Sequence, residues 1–252
     1  MRGERDVPDG DAWLTPVEAQ RAASMRFTKR RTEYRLRRYA GKCAIAASIG
    51  LPQDPASLAR IGVLNAPTGA PYVVLDDRRV GTDVSLTDRA GWAVCLVGPD
   101  LGAVGCDLEI VEPRSDGFVR DFLTPGEQAL VAAAPGPDGR DALANLIWSA
   151  KESALKVLRT GLRADTRTVE VRVGDPGALG PGGRSAWHRL QVGTVIGPLP
   201  GWWRRDGDFV LTIVVGAGAG SAPPDPPQQL AGSADLAAAV PLESWRTRPL
   251  AD

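Results

Sequence analysis

A single histidine, His188, stands among 252 residues. A Ser-His-Asp triad or a histidine-based metal centre is therefore a poor reading of this chain. Cysteine is almost as scarce. Cys43, Cys95 and Cys106 are odd in number and widely spaced, which suggests neither a disulfide framework nor a zinc site. Cys95 and Cys106 fall where neighbouring strands are expected, but small buried thiols are the better reading. No run is long and apolar enough to span a bilayer. The first residues, Met-Arg-Gly-Glu-Arg-Asp, lack the apolar stretch of a secretory signal, so a cytoplasmic protein without a membrane partner is expected. Net charge is also lacking: 30 basic residues balance 30 acidic ones. That balance argues against a nucleic-acid partner.

What is present suits an ordinary soluble core, with 43% hydrophobic and 24% charged residues. The length allows one large domain or two modest ones. Charge is uneven locally: from Arg21 to Lys42 nine Arg and Lys face one acid, Glu33. The spacing of Leu36, Tyr39, Ala40, Cys43 and Ala47 predicts a basic helix over Thr32–Ile49, ended by Gly50 and Pro52. A short strand is expected near Ala12–Leu14, and others at Val73–Leu75 and Val84–Leu86. Trp92–Val97 and Ala103–Ile110 read as a β-hairpin around Gly98-Pro99-Asp100-Leu101-Gly102. Helices are expected near Pro125–Ala134 and Asp141–Arg159, with Pro135–Gly139 as the loop between them. Later strands fit Thr168–Val173, Ala186–Val195 and Phe209–Val215. The tail after Gly216 is rich in Pro, Ala and Gly. It is expected to pack loosely, so that truncation after Gly218 leaves stability nearly unchanged. No short-period repeat is visible. The expected divisions are 1–102, 103–218 and the tail 219–252.

Two elements carry chemistry. Asp107 and Glu109, two apart on a strand, project from one face. An edge strand with a solvated acidic face is the bland alternative. In Trp148-Ser149-Ala150-Lys151-Glu152-Ser153-Ala154-Leu155-Lys156, Glu152 and Lys156 are placed for an ordinary helix-surface ion pair.

Together, about 45 residues apart, Val104-Gly105-Cys106-Asp107-Leu108-Glu109 and Trp148–Lys156 closely resemble the two signature motifs of the Sfp-type 4′-phosphopantetheinyl transferases. Leu162, after Gly161, matches a following Gly-Leu. Upstream, Arg30-Arg31-Thr32-Glu33-Tyr34, Arg38-Tyr39-Ala40-Gly41-Lys42, Gly69-Ala70-Pro71-Tyr72 and Val84-Ser85-Leu86-Thr87-Asp88 are similar to further family stretches. The resemblance covers roughly residues 12–215. It implies an α+β fold of two similar α/β halves packed as a pseudo-dimer, commonly monomeric. It also implies transfer of 4′-phosphopantetheine from coenzyme A to a serine of an apo acyl or peptidyl carrier protein, a step that serves fatty-acid synthesis or secondary metabolite biosynthesis.

That reaction breaks a diphosphate, and Mg²⁺ neutralises the charge that builds on its oxygens. Mg²⁺ takes oxygen ligands, which Asp107, Glu109 and Glu152 supply. Glu152 is the first choice to accept the serine proton. Lys156 and Lys151 are placed to meet phosphate charge. Arg21, Arg30 and Arg31 are expected at the nucleotide phosphates, although a docking face for an acidic carrier protein is an alternative for that basic run. Gly69, Pro71, Ser85, Thr87 and Asp88 complete the expected coenzyme A site. The family usually has His where this chain has Asp88, and Lys or Arg where it has Ala70, both at the 3′-phosphate. An altered donor, or a carrier-binding paralogue without transfer, are the alternatives those departures raise.

Overall fold

The computed structural model describes residues 1–98, 102–160, 165–180, 186–216 and 225–242. The chain forms two compact units. The first comprises Met1–Asp100, Gln229–Ala234 and Pro241–Asp252; the second comprises Leu101–Gln228 and Asp235–Val240.

In the first unit the elements run β1 (Arg2–Gly3), α1 (Pro16–Ala23), α2 (Thr28–Ser48), α3 (Pro55–Ala59), β2 (Ile61–Asn65), β3 (Pro71–Leu75), β4 (Arg78–Arg79), β5 (Asp83–Arg89) and β6 (Trp92–Gly98). Two antiparallel sheets, ordered β1-β6-β5 and β2-β3-β4, share α2. Its buried stretch Ala40–Ala46 supplies the apolar face. Gly41 lies so close to Leu86 and Val63 that a Cβ there would meet them at 3.0 and 3.3 Å. Gly50, with φ +73°, turns the chain out of α2, and the Leu51 amide donates back to the Ala46 carbonyl at 2.8 Å.

The second unit runs β7 (Val104–Ile110), α4 (Asp116–Phe122), α5 (Pro125–Ala132), α6 (Gly136–Val157), β8 (Glu170–Val173), β9 (His188–Thr194), β10 (Gly197–Asp206) and β11 (Phe209–Val215). Its strands form one antiparallel sheet ordered β7-β11-β10-β9-β8. Helix α6 lies on this sheet, burying Leu146, Ile147, Ala150 and Ala154 against strand residues such as Val192, Trp203 and Val214. All seven residues of β11 are buried.

Several expectations are corrected. Residues 11–14 form a turn rather than a strand, and deliver the buried Trp13 and Leu14 to the start of α1. The expected hairpin does not form. β6 pairs with β5 and β1, while β7 pairs with β11, Asp107 opposite Thr212. The long apolar β11 outcompetes the neighbour in sequence. Residues 99–101 of the expected hairpin turn, and the Gly161-Leu162 pair, lie outside the described residues. Residues 136–139 are the first turn of α6 instead of a loop, since proline is tolerated at a helix start. Strand β10 was not anticipated because it opens Gly197-Pro198-Leu199-Pro200-Gly201. Gly201 is required there: a Cβ would meet the Ile213 carbonyl oxygen at 2.4 Å.

Residues 225–242 are also not loose. Leu236 is fully buried, the Ala234 amide donates to Met1 O at 3.1 Å, and the Leu242 amide donates to Ala90 O at 2.8 Å. Leu242 also packs against Gly91. Burying Leu236 alone is worth about 1.5–3 kcal/mol. Truncation after Gly218 is therefore expected to lower Tm by roughly 5–10 °C in a thermal melt; an unchanged Tm would contradict the docking.

One constellation occurs twice, at a constant spacing of 109 residues (Glu18 to Glu127, Lys42 to Lys151). Leu14-Thr15-Pro16-Val17-Glu18 opens α1, and Leu123-Thr124-Pro125-Gly126-Glu127 opens α5. Each threonine caps its helix, and each glutamate completes a capping box. The other oxygen of each glutamate accepts a strand amide: Val63 N at 2.9 Å for Glu18, Val171 N at 2.7 Å for Glu127. Each glutamate then pairs with a fully buried lysine, Lys42 at 2.6 Å and Lys151 at 2.8 Å. Lys42 also donates to the carbonyls of Trp13 and Leu58, and Lys151 to those of Thr166 and Val169. The aromatic contacts repeat too. Trp13 meets Tyr39 edge-on at 5.4 Å, and Phe122 meets Trp148 edge-on at 5.1 Å.

Candidate active site

Strand β7 and helix α6 build the site. Gly105 brings them together: a Cβ there would lie 1.9 Å from the Ser153 carbonyl oxygen, so only glycine permits this approach. From that contact Asp107 and Glu109 follow at steps of two and share one face. On α6, Trp148, Glu152 and Lys156 recur at steps of four and form one stripe. The helix runs against the strand. Asp107 Oδ1 accepts from Lys156 Nζ at 2.8 Å, Glu109 Oε1 accepts from Trp148 Nε1 at 3.1 Å, and Glu152 stands on the stripe between those two partners.

The bland ion-pair reading of Glu152 with Lys156 does not hold, because the lysine goes to Asp107 and to the Cys106 carbonyl, 2.7 Å away. Glu152 Oε1 is instead buried with no hydrogen-bond partner among the described residues. Burial, reinforced by the Asp107 charge, pushes the Glu152 carboxyl above the usual range, with Lys156 opposing. Burial alone would lower the Lys156 pKa, but Asp107, Cys106 and Glu152 outweigh it and hold the ammonium above its ordinary value. Lys156 is thus bonded to Asp107, while Glu152 acts on it only through its charge. A buried carboxylate oxygen without a donor is costly, and a cation is the group that would satisfy it.

Glu109 is held differently. Its Oε2 accepts from Arg114 at 3.0 Å. Arg114 in turn donates to Asn145 Oδ1 at 2.7 Å and lies 4.7 Å over the Phe118 ring. Among the described residues no group of three His, Cys, Asp or Glu is arranged to hold a metal ion. Arg114 and Trp148 hold the two Glu109 oxygens. Arg114 is the supporting residue that sequence reasoning missed, since no periodicity marks it; Trp148 opens the second motif, but its bond to Glu109 is visible only in the fold. Beneath the site, the buried hydroxyl of Thr212, opposite Asp107 in register, lies 2.9 Å from Ser149 Oγ and 2.8 Å from Ser153 Oγ.

Lys151 does not reach the site. Its three donors are spent inside the second unit on Glu127, Thr166 and Val169, so the expected phosphate contact is corrected to a structural role. The repeat shows why only the second unit is equipped. At the positions 109 residues before Glu152 and Lys156 stand Cys43 and Ala47, which supply neither charge.

The eight residues expected on the nucleotide side all lie in the first unit. Arg21, Arg30 and Arg31 are exposed. Gly69, with φ +90°, turns the chain between β2 and β3, and Pro71 begins β3. Ser85 and Thr87 are buried on β5. Asp88 forms an ion pair with Arg37 of α2, so its carboxylate charge is offset within the protein.

Comparison with known proteins identifies the family. Residues 103–213, which span β7 to β11, match the model of the 4′-phosphopantetheinyl transferase superfamily. The chain is 32% identical over 228 residues to the 4′-phosphopantetheinyl transferase Svp of Streptomyces mobaraensis, covering 86% of this chain and 85% of that protein. It is 30% identical over 137 residues to a 4′-phosphopantetheinyl transferase of Bacillus subtilis, covering 54% and 56%. With the acidic strand, the Glu152–Lys156 stripe and these relatives in agreement, the chain belongs to the 4′-phosphopantetheinyl transferase superfamily and is a transferase.

Proposed function

We propose that the protein transfers 4′-phosphopantetheine from coenzyme A to a serine hydroxyl of an apo acyl or peptidyl carrier protein, dependent on Mg²⁺. The observation that carries this reading is the partnerless, buried Glu152 Oε1 beside Asp107. Asp107 and Glu152 would hold the ion, with Glu109 joining if it leaves Arg114. Mg²⁺ would supply charge neutralisation at the diphosphate. Glu152 is also the group to take the serine proton, directly or through a metal-bound water. Lys156 would stabilise charge on the pantetheine-side phosphate. Arg21, Arg30 and Arg31 would meet the nucleotide phosphates, with Gly69, Pro71, Ser85, Thr87 and Asp88 lining that end. The twofold buried anchor supports reading the chain as two similar halves, for which the family resemblance implies a monomeric pseudo-dimer in the cytoplasm. Incubation with coenzyme A, Mg²⁺ and an apo carrier protein is expected to add one phosphopantetheine mass per carrier. No increment on either acyl or peptidyl carriers would remove this reading.

The Asp88 position makes donor choice specific to this chain. With Asp88 and Ala70 in place of two cationic contacts, each worth about 1–3 kcal/mol, the kcat/KM ratio for coenzyme A over its 3′-dephospho form is expected near one. Asp88→His should shift that ratio several-fold toward coenzyme A, mainly through KM, because the 3′-phosphate is remote from the breaking bond. A strong wild-type preference for coenzyme A, unmoved by Asp88→His, would assign the recognition elsewhere.

A further inference from the structure

Arg114 lies in the segment between β7 and α4, five residues beyond Glu109. Its guanidinium is engaged along its edge and on one face. Nε donates to Asn145 Oδ1 at 2.7 Å, and Nη2 donates to Glu109 Oε2 at 3.0 Å. Nη1 lies 3.5 Å from Glu112 Oε1, and the Phe118 ring stacks at 4.7 Å. Asn145 is itself fully buried, and its amide donates to the carbonyls of Glu112 and Asp141 at 2.7 and 2.8 Å. Helix α6 thus fixes Asn145, and Asn145 fixes the arginine. Of the two partners in the Arg114–Glu109 pair, the arginine is anchored to the fold and the glutamate is the one able to change hands. Such a change would strand no cation, because Arg114 keeps Glu112 as a second acid.

The three carboxylates of the site are therefore unequally committed. Glu152 Oε1 is buried without a donor among the described residues. Both Glu109 oxygens have donors, one of them a charged guanidinium, which makes the stronger kind of hydrogen bond. A cation that recruited Glu109 would have to compete with that guanidinium. Mg²⁺ is commonly held by only one or two carboxylates, with phosphate and water completing its shell. We propose that Arg114 is a positioning residue that competes with Mg²⁺ for Glu109 and so keeps the site at two carboxylate ligands, Asp107 and Glu152. The metal in this statement rests on the transfer reading above; the anchoring of Arg114 does not.

The test measures Mn²⁺ binding, as the probe for Mg²⁺, by electron paramagnetic resonance on the chelator-treated full chain without coenzyme A. Arg114→Met is expected to lower the Mn²⁺ Kd by about 10-fold, the usual scale for an outer-shell partner of a metal ligand. Adding Glu109→Gln should cancel that gain. Glu109→Gln alone should move Kd by less than about twofold, so the two changes are non-additive. Arg114→Lys keeps the charge but gives up the fork, and its Kd should fall between the wild type and Arg114→Met. A thermal melt checks folding; if Arg114→Met melts early, Arg114→Lys with and without Glu109→Gln makes the same comparison. An unchanged or weaker Kd in the Arg114 variants would overturn the proposal. So would a gain that survives Glu109→Gln, since it would reflect charge alone. A wild type that binds no Mn²⁺ would remove the metal reading and this proposal together. The expected pattern of Kd values without transfer to an apo carrier would keep the role of Arg114 and remove the transfer reading.

Discussion

Lys151→Met is expected to destabilise the protein by about 3–5 kcal/mol, because removing one partner of a buried ion pair strands the other. Glu127 would keep its amide donors from Thr124 and Val171 but lose its cation, and the Thr166 and Val169 carbonyls would lose theirs. In a domain of this size that corresponds to a Tm lower by about 10 °C or more. Lys42→Met should behave alike through Glu18, Trp13 and Leu58. Pairing Lys151→Met with Glu127→Leu should cost less than the two single changes added together, since the pair shares one interaction. The alternative role for Lys151, contact with phosphate, makes the opposite forecast: lost activity with an unchanged melting temperature. A urea titration alongside a transfer assay tells the two apart.

Asp107→Ala and Glu152→Ala should each abolish transfer while the protein stays folded. The loss amounts to several kcal/mol of transition-state stabilisation, since charge on the diphosphate would go unmatched. Glu152→Ala removes a buried oxygen that no protein group satisfies, so Tm should hold or rise. Asp107→Ala strips Lys156 of its carboxylate partner and should cost some stability as well. Glu109→Ala should be milder for transfer, because Arg114 and Trp148 already occupy that side chain. Full activity in either Asp107→Ala or Glu152→Ala would contradict the assignment of the site.

The legible part of this molecule was the part where chemistry constrains residue type. Asp107, Glu109, Glu152 and Lys156 were singled out through their resemblance to the family's two motifs; spacing alone left a solvated edge strand and a surface ion pair open. Strand Phe209–Val215 was readable residue for residue, since a continuous apolar run has few other uses. Pairing was not readable. The local hairpin signal joined Trp92–Val97 to Ala103–Ile110, yet their true partners lie far away in sequence. Strand β10 hid behind Pro198 and Pro200, because the cost of a missing donor depends on which neighbour it faces. Lys151 was expected to meet phosphate charge, and only the fold reveals that Glu127, 24 residues upstream, pairs with it inside. The 109-residue repeat escaped notice because the charges of Glu152 and Lys156 do not recur with it. Cys43 and Ala47 stand where the second unit has Glu152 and Lys156, leaving only the structural anchor in common.

The most direct test of the central claim is the rate of transfer to an apo carrier as a function of Mg²⁺, starting from chelator-treated protein. If Asp107 and Glu152 hold Mg²⁺, no detectable transfer is expected without the ion and full recovery on its return, with Glu152→Ala silent throughout. Transfer that persists in excess chelator at the wild-type rate would contradict the account.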